Sequence, residues 1–64
     1  MAINMNPYDA ISLAIRGYAK LSFNHYEAAI QDFDMAINLN PNDTRYYRDR
    51  GNAKFNLNHY EAAI

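Results

Sequence analysis

The chain has 64 residues, half of them apolar, with six basic and seven acidic side chains and no cysteine. The lack of cysteine excludes disulfides and thiolate metal sites, and a net charge of −1 argues against a nucleic-acid binder held by phosphate contacts. No apolar run approaches the roughly 20 residues of a membrane span and no signal-peptide pattern opens the sequence, so we expect a cytoplasmic protein that does not contact membranes.

A period of 34 residues divides the chain. The segment Asn24–Ile30 returns letter for letter as Asn58–Ile64, and Met1–Asn4 returns as Met35–Asn38. A fixed period of this size is typical of arrays in which each unit is one supersecondary element. By this match, we expect residues 1–6 to form the tail of a preceding second helix.

The first full helix is expected from Ala10 to about Ser22. Asn6-Pro7 should end the preceding segment, because the residue before proline avoids helical torsions, and Asp9 is a suitable N-cap. Gly17 inside the helix costs about 1 kcal/mol relative to alanine, which indicates close packing against the next helix.

A turn and a second helix should follow. Asparagine tolerates the left-handed torsions that end a helix, so we expect the turn at Phe23-Asn24-His25. Asn24 and Glu27 also resemble a capping box. The second helix is expected from about Tyr26 to Leu39, where apolar residues at spacings of three and four form one stripe: Tyr26, Ala29, Ile30, Phe33, Ala36 and Ile37.

The rest of the chain should repeat this order. Asn40-Pro41 is expected to end the second helix, and Asp43 to cap a third helix that runs to about Asn56. A fourth helix should begin near Tyr60 and is cut after Ile64, which leaves about one turn, too little to be stable alone.

The repeat resembles the tetratricopeptide repeat, which has the same period. The matching residues in copy one are Gly17, Ala19, Tyr26, Ala29, Ile30, Phe33, Ala36, Ile37 and Pro41, and in copy two Gly51, Ala53, Tyr60, Ala63 and Ile64. The resemblance implies an all-α fold of antiparallel helix-turn-helix hairpins, stacked as a fragment of a right-handed α-solenoid. Residues 1–64 would form a single unit, with a first repeat at 9–41 and a truncated second repeat at 43–64.

One departure from the family suggests an ion pair. Arg16 and Arg50 stand just before the glycines, where the family usually has leucine. Asp32 follows Arg16 by sixteen residues, so we expect these two side chains to pair. Arg50 should find another partner.

The family resemblance also implies a non-catalytic scaffold for protein interactions. The first helices of such hairpins line a concave groove that holds a peptide or a partner's helix. The implied groove residues are Ile11, Ala14, Tyr18, Leu21, Ser22, Arg45, Arg48, Asn52, Phe55 and Asn56. The two copies differ most within this set, as a recognition surface or unselected surface drift would each produce.

The cations of copy two suggest a ligand class. An acidic side chain or a C-terminal carboxylate would suit four residues of copy two: Arg45, Arg48, Asn52 and Asn56. Copy one contributes apolar residues instead, so a complete carboxylate clamp is absent. The alternative is a solvated charged face that Asp49 partly neutralises.

We expect neither an enzyme nor a bound metal or cofactor. His25 and His59 occupy equivalent repeat positions, which in stacked hairpins lie about 10 Å apart, too far to share one ion. Asp32 and Asp34 are two residues apart and point to different sides of a helix, so they do not form a carboxylate pair. No nucleophile–base pair or phosphate-binding loop is present.

The alternative function is structural assembly. Three or more repeats are normally needed to bury a continuous core, and fewer than two are present. Helix three should expose the face that its own partner helix would cover. The chain would then stack head-to-tail into a homo-oligomer through its ends, represented by Ile3, Leu13, Tyr60 and Ile64. An RNA-reading helical repeat is a weaker alternative, since the net charge is slightly negative.

Overall fold

The computed structural model describes the backbone of residues 7–63 and the side chains of residues 9–61. Within this range the chain forms three helices and no strand: α1 (Pro7–Ser22), α2 (Tyr26–Leu39) and α3 (Thr44–Ala63). α2 packs against both other helices, whereas α1 and α3 hardly touch. The prediction of an all-α fold is confirmed. The predicted helix tail at 1–6 lies outside the described residues.

α1 and α3, the first helices of the two repeat copies, begin in different ways. α1 begins at Pro7 rather than Ala10, because proline lacks the N–H that would have no partner in a first turn. Asp9 therefore lies inside the first turn, and its predicted N-cap role is wrong. Asp43 does cap α3, since its Oδ1 accepts a hydrogen bond from the backbone N–H of Arg45 at 3.0 Å.

The turn between α1 and α2 depends on Asn24. This residue has a φ of 64°, the left-handed torsion that the sequence predicts. The backbone N–H of His25 donates to the carbonyl of Lys20 at 2.9 Å and closes the last turn of α1. His25 is the N-cap of α2 and makes no side-chain capping bond, so the predicted capping box is wrong. The side chain of Asn24 instead accepts a hydrogen bond from the Tyr26 hydroxyl at 2.8 Å.

α2 supplies the centre of the core. Its bounds and its buried apolar stripe agree with the prediction. One cluster joins all three helices through Ala10, Ala36, Ile37 and Tyr46. A second cluster joins α2 to α3 through Ala29, Phe33 and Ala53. The alanines bring the helix backbones close together, and the fully buried ring of Phe33 fills the space between them.

Gly17 allows α1 and α2 to approach closely. A Cβ atom at this position would lie 3.0 Å from Cε1 of Phe33 and 3.2 Å from the Cβ of Asp32. The predicted packing role of Gly17 is therefore confirmed. Gly51, its counterpart in the second copy, has no such neighbour within 4 Å of the equivalent point.

Asp32 is buried beside Gly17 and is neutralised by α1. The Nε and Nη2 atoms of Arg16 donate to its two carboxylate oxygens at 3.0 and 2.8 Å, and the ammonium group of Lys20 lies 3.1 Å away. The hydrogen bonds from Arg16 lower the pKa of Asp32; burial opposes this shift, and Lys20 reinforces it. The predicted pair is confirmed. Arg50, as expected, has another partner, and its Nη1 donates to Asp34 at 2.8 Å.

The largest difference from the prediction is the length of α3. This helix continues to Ala63 with no turn at residues 57–59 and no separate fourth helix at Tyr60. Asn58 is thus helical, although its counterpart Asn24 lies in the turn that follows α1. In the first copy the residues after the turn bury Phe33 and its neighbours, which offsets the cost of interrupting a helix. The residues from Asn58 to Glu61 are all exposed in α3, so a turn here would gain little packing and continued backbone hydrogen bonding is favoured.

Candidate functional site

An open groove lies between α1 and α3, on the side where these helices do not meet. It encloses a cavity of about 260 Å³. The α1 wall consists of Ile11, Ala14, Ile15 and Tyr18, and the α3 wall of Arg45, Tyr46, Arg48 and Asp49. The groove exists because α2 separates the two helices while packing against both.

The α1 wall is apolar and accessible. Ile11, Ile15 and Tyr18 recur at spacings of four and three, which places them on one face of the helix. Ile15 is 65% exposed and Tyr18 is 57% exposed. Exposed apolar side chains that line a concavity are typical of a surface that binds a partner.

The α3 wall carries two arginines with different surroundings. Arg45 is held by Asp43, whose carboxylate accepts hydrogen bonds from Nε at 3.0 Å and Nη2 at 2.6 Å. These hydrogen bonds lower the pKa of Asp43 and raise that of Arg45. The Nε atom of Arg48 lies 3.9 Å from the carboxylate of Asp49, too far for a hydrogen bond, and its side chain is 72% exposed. Arg48 would give up no hydrogen bond to Asp49 on turning toward an anion, whereas Arg45 would lose its hydrogen bonds to Asp43.

Tyr46 connects the groove to the core. Its side chain is 3% exposed and packs with Ala36 and Ile37, yet it also lines the cavity. Its hydroxyl is buried and has no hydrogen-bond partner among the described residues. A buried hydroxyl without a partner costs about 1–3 kcal/mol of folding free energy. The Tyr46 hydroxyl is therefore a polar atom in the groove wall that lacks an acceptor among the described residues.

The structure brings together half of the groove residues that the sequence suggests. Ile11, Ala14, Tyr18, Arg45 and Arg48 line the cavity. The remaining residues do not line it: Leu21, Ser22, Asn52, Phe55 and Asn56. Leu21 is partly buried against the cluster around Phe33, and Phe55 packs edge-on against His59 with ring centroids 4.2 Å apart.

The residues proposed for end-to-end stacking have separate locations. Leu13 is partly buried against the cluster around Ile37. Tyr60 lies edge-on to Tyr26 with ring centroids 6.2 Å apart, and it remains 56% exposed. Ile3 and Ile64 lie outside the described residues.

Three residues that line the cavity are absent from the groove that the resemblance implies: Ile15, Tyr46 and Asp49. The spacing of Ile11, Ile15 and Tyr18 contains a signal for Ile15. No local pattern identifies Tyr46, because its position depends on how α3 rotates against α2.

Two further observations concern the described part of the chain. It contains no cluster of three or more metal-binding side chains. None of its helices has the length and apolar character needed to cross a membrane.

Comparison with known proteins finds no matching family model, no matching curated protein and no matching solved structure. The geometry of the chain itself therefore carries the functional argument.

Proposed function

We propose that the chain is a non-catalytic scaffold, a fragment of a right-handed α-solenoid of the tetratricopeptide type, that binds an extended peptide in the groove between α1 and α3. The observation that supports this most is the pairing of an exposed apolar wall with a wall that carries Arg48. The internal repeat and the close packing of α1 on α2 at Gly17 support the same family.

The two walls suggest how a ligand would bind. Apolar side chains of the peptide would cover Ile11, Ile15 and Tyr18 and remove them from water, which is the main favourable term in most associations. A carboxylate of the peptide would accept hydrogen bonds from Arg48, and such charge-assisted bonds are stronger than neutral ones. The ligand class is therefore an extended peptide with apolar residues next to an acidic residue or a C-terminus.

The size of the groove favours a few peptide side chains over a small-molecule cofactor. Its cavity of about 260 Å³ is near the lower limit of small-molecule sites, which measure roughly 300–1,000 Å³. An open groove along two helices leaves the rest of an extended ligand in water. We therefore expect modest affinity and rapid exchange for one chain acting alone.

A binding titration tests the proposed groove. The probe is a fluorescein-labelled peptide in which two leucines precede two C-terminal glutamates, and fluorescence anisotropy reports its binding. Replacing Arg48 with alanine should weaken binding about tenfold or more, because a hydrogen bond to a charged group contributes about 1.5–3 kcal/mol.

Arg50→Ala is the matched control, since Arg50 lies on α3 outside the cavity and pairs with Asp34. It should leave the affinity unchanged. Equal losses for the two arginines would indicate general charge attraction and would contradict a defined groove. Absence of saturable binding to the labelled peptide would also contradict the proposal.

Self-assembly is the second candidate, and one observation favours it. Ala53 on α3 is fully buried by α2, whereas its repeat counterpart Ala19 on α1 is exposed. Phe23, in the turn directly after α1, is 74% exposed. α1 thus presents a surface of the kind that α3 uses to bind α2.

Sedimentation velocity tests this second candidate. If the chains stack head-to-tail, the sedimentation coefficient should rise continuously from micromolar to millimolar concentrations, because an open heterologous contact does not stop at a dimer. Ala19→Arg should abolish the rise, since a large charged side chain cannot enter a close helix contact. An unchanged monomer at all concentrations would exclude assembly.

A further inference from the structure

α1 contacts α2 through the pattern Arg-Gly-x-x-Lys, which is formed by Arg16, Gly17 and Lys20. Gly17 leaves space that the ring edge of Phe33 occupies at backbone distance. Arg16 and Lys20 neutralise the adjacent Asp32 from either side. The pattern therefore forms a receptor for one aspartate–phenylalanine pair on a facing helix.

The same pattern occurs on α3, where the described chain engages its arginine, which pairs with Asp34, and leaves its glycine and lysine uncovered. Arg50, Gly51 and Lys54 repeat Arg16, Gly17 and Lys20 letter for letter. Apart from the local backbone of α3, no atom of the described residues lies within 4 Å of a Cβ built at Gly51. Among the described residues, no carboxylate lies within 4 Å of the Lys54 ammonium group. We call the surface formed by Tyr47, Arg50, Gly51 and Lys54 the outer face of α3.

The outer face differs from its α1 counterpart in one useful respect. Tyr47 stands where α1 has the partly buried Leu13, and it is 41% exposed. The guanidinium carbon of Arg50 lies 5.3 Å from the centre of the Tyr47 ring. An aromatic side chain beside an open glycine adds apolar area to the same cleft, while the exposed Lys54 places a positive charge at its edge.

We propose that the outer face of α3 binds an acidic amphipathic helix that presents adjacent aspartate and phenylalanine side chains. The phenylalanine would lie over Gly51, the aspartate would pair with Lys54, and the apolar stripe of the helix would cover Tyr47. Charge and shape both favour this occupant, because the covered copy of the pattern holds an aspartate and a phenylalanine in these places. The outer face is distinct from the groove, so this site goes beyond the proposed peptide binding.

The test uses the complete chain and a fluorescein-labelled peptide with the sequence of residues 25–40. Fluorescence anisotropy should show saturable binding. Gly51→Val should weaken it about tenfold or more, since the added methyl groups occupy the space of the phenylalanine ring. The variant should keep its helix content by circular dichroism, because the position is open and valine tolerates a helix at least as well as glycine.

Further variants separate charge from shape. Lys54→Glu should weaken binding of the same peptide and should spare a peptide in which alanine replaces the aspartate at position 32. Arg48→Ala, which alters the groove, should have no effect here, so the two proposals fail independently. Binding that is unaffected by both Gly51→Val and Lys54→Glu would overturn the inference, because the peptide would then displace α2 or occupy the groove. Absence of saturable binding would overturn it as well.

Discussion

Replacing Phe33 with alanine is expected to unfold the chain at room temperature. Phe33 is the largest fully buried side chain among the described residues, and it joins α2 to α3 and lies against Gly17. Truncation of a buried phenylalanine costs about 3–5 kcal/mol, from lost apolar burial and from the cavity left behind. A core of this size rarely supplies more than about 3–5 kcal/mol of net stability. The expected loss is therefore about as large as the whole free energy of unfolding.

Circular dichroism at 222 nm with urea titration measures this effect. The wild-type chain should show a cooperative transition, and Phe33→Ala should show low helix content before urea is added. Phe23→Ala is the control, because Phe23 is 74% exposed and its removal should change the free energy of unfolding by about 0.5 kcal/mol or less. Similar urea transitions for the two variants would show that the core is not centred on Phe33.

Replacing Asp32 with alanine is expected to lower the free energy of unfolding by about 1–2 kcal/mol. Hydrogen bonds to a charged group contribute about 1.5–3 kcal/mol, and the higher helix propensity of alanine returns roughly 0.5 kcal/mol. The larger penalty for leaving a buried charge unpaired does not apply, because Arg16 is 57% exposed and stays hydrated without its partner.

Asp34→Ala is the matched control in the same helix. It removes the partner of Arg50, but the Asp34 carboxylate is half exposed, so this pair contributes only about 0–1 kcal/mol. Both variants gain the same helix propensity, and the difference between their urea transitions reports the environment of the two carboxylates. Equal stabilities would contradict a buried role for Asp32.

The pH dependence of stability provides an independent check on Asp32. Its pKa is lowered in the folded chain, so its stabilising contribution is complete above the unfolded pKa of about 3.9 and is lost as the pH falls through the folded value. Wild-type stability should therefore fall below about pH 4. Asp32→Ala should lose less stability over that range, while the contribution of Asp43, whose pKa is also lowered, remains in both chains.

Much of the fold follows from the sequence because short-range patterns determine it. The bounds of α2 follow from an apolar stripe between two turn signals, and the close packing at Gly17 follows from a helix-disfavouring residue inside a helix. The Arg16–Asp32 pair follows from an arginine where the resembled repeat family usually has leucine. In each of these cases, one feature of the sequence is enough to make the prediction.

The end of α3 could not be predicted in the same way. The segments 24–29 and 58–63 share their sequence, yet the first contains a turn and the second lies within a helix. A local signal at asparagine permits a turn without requiring one. The outcome depends on whether the following residues gain enough packing to offset the interruption, and that is a property of the tertiary structure.

The groove was predictable in part for a related reason. The resemblance to a repeat family implies a groove that includes Ile11, Tyr18, Arg45 and Arg48, and these residues line the cavity. The depth of the groove depends on the rotation of α1 and α3 about α2. That rotation turns Leu21 toward the core and Tyr46 into the wall.

The most direct test of the proposed function is a nuclear magnetic resonance titration of the ¹⁵N-labelled chain with the leucine–glutamate peptide. If the groove binds it, the largest amide shift changes should lie at Ile11, Ile15, Tyr18 and Arg48, and they should saturate together. Shift changes that are absent, or that concentrate on the outer face of α3, would contradict peptide binding between α1 and α3.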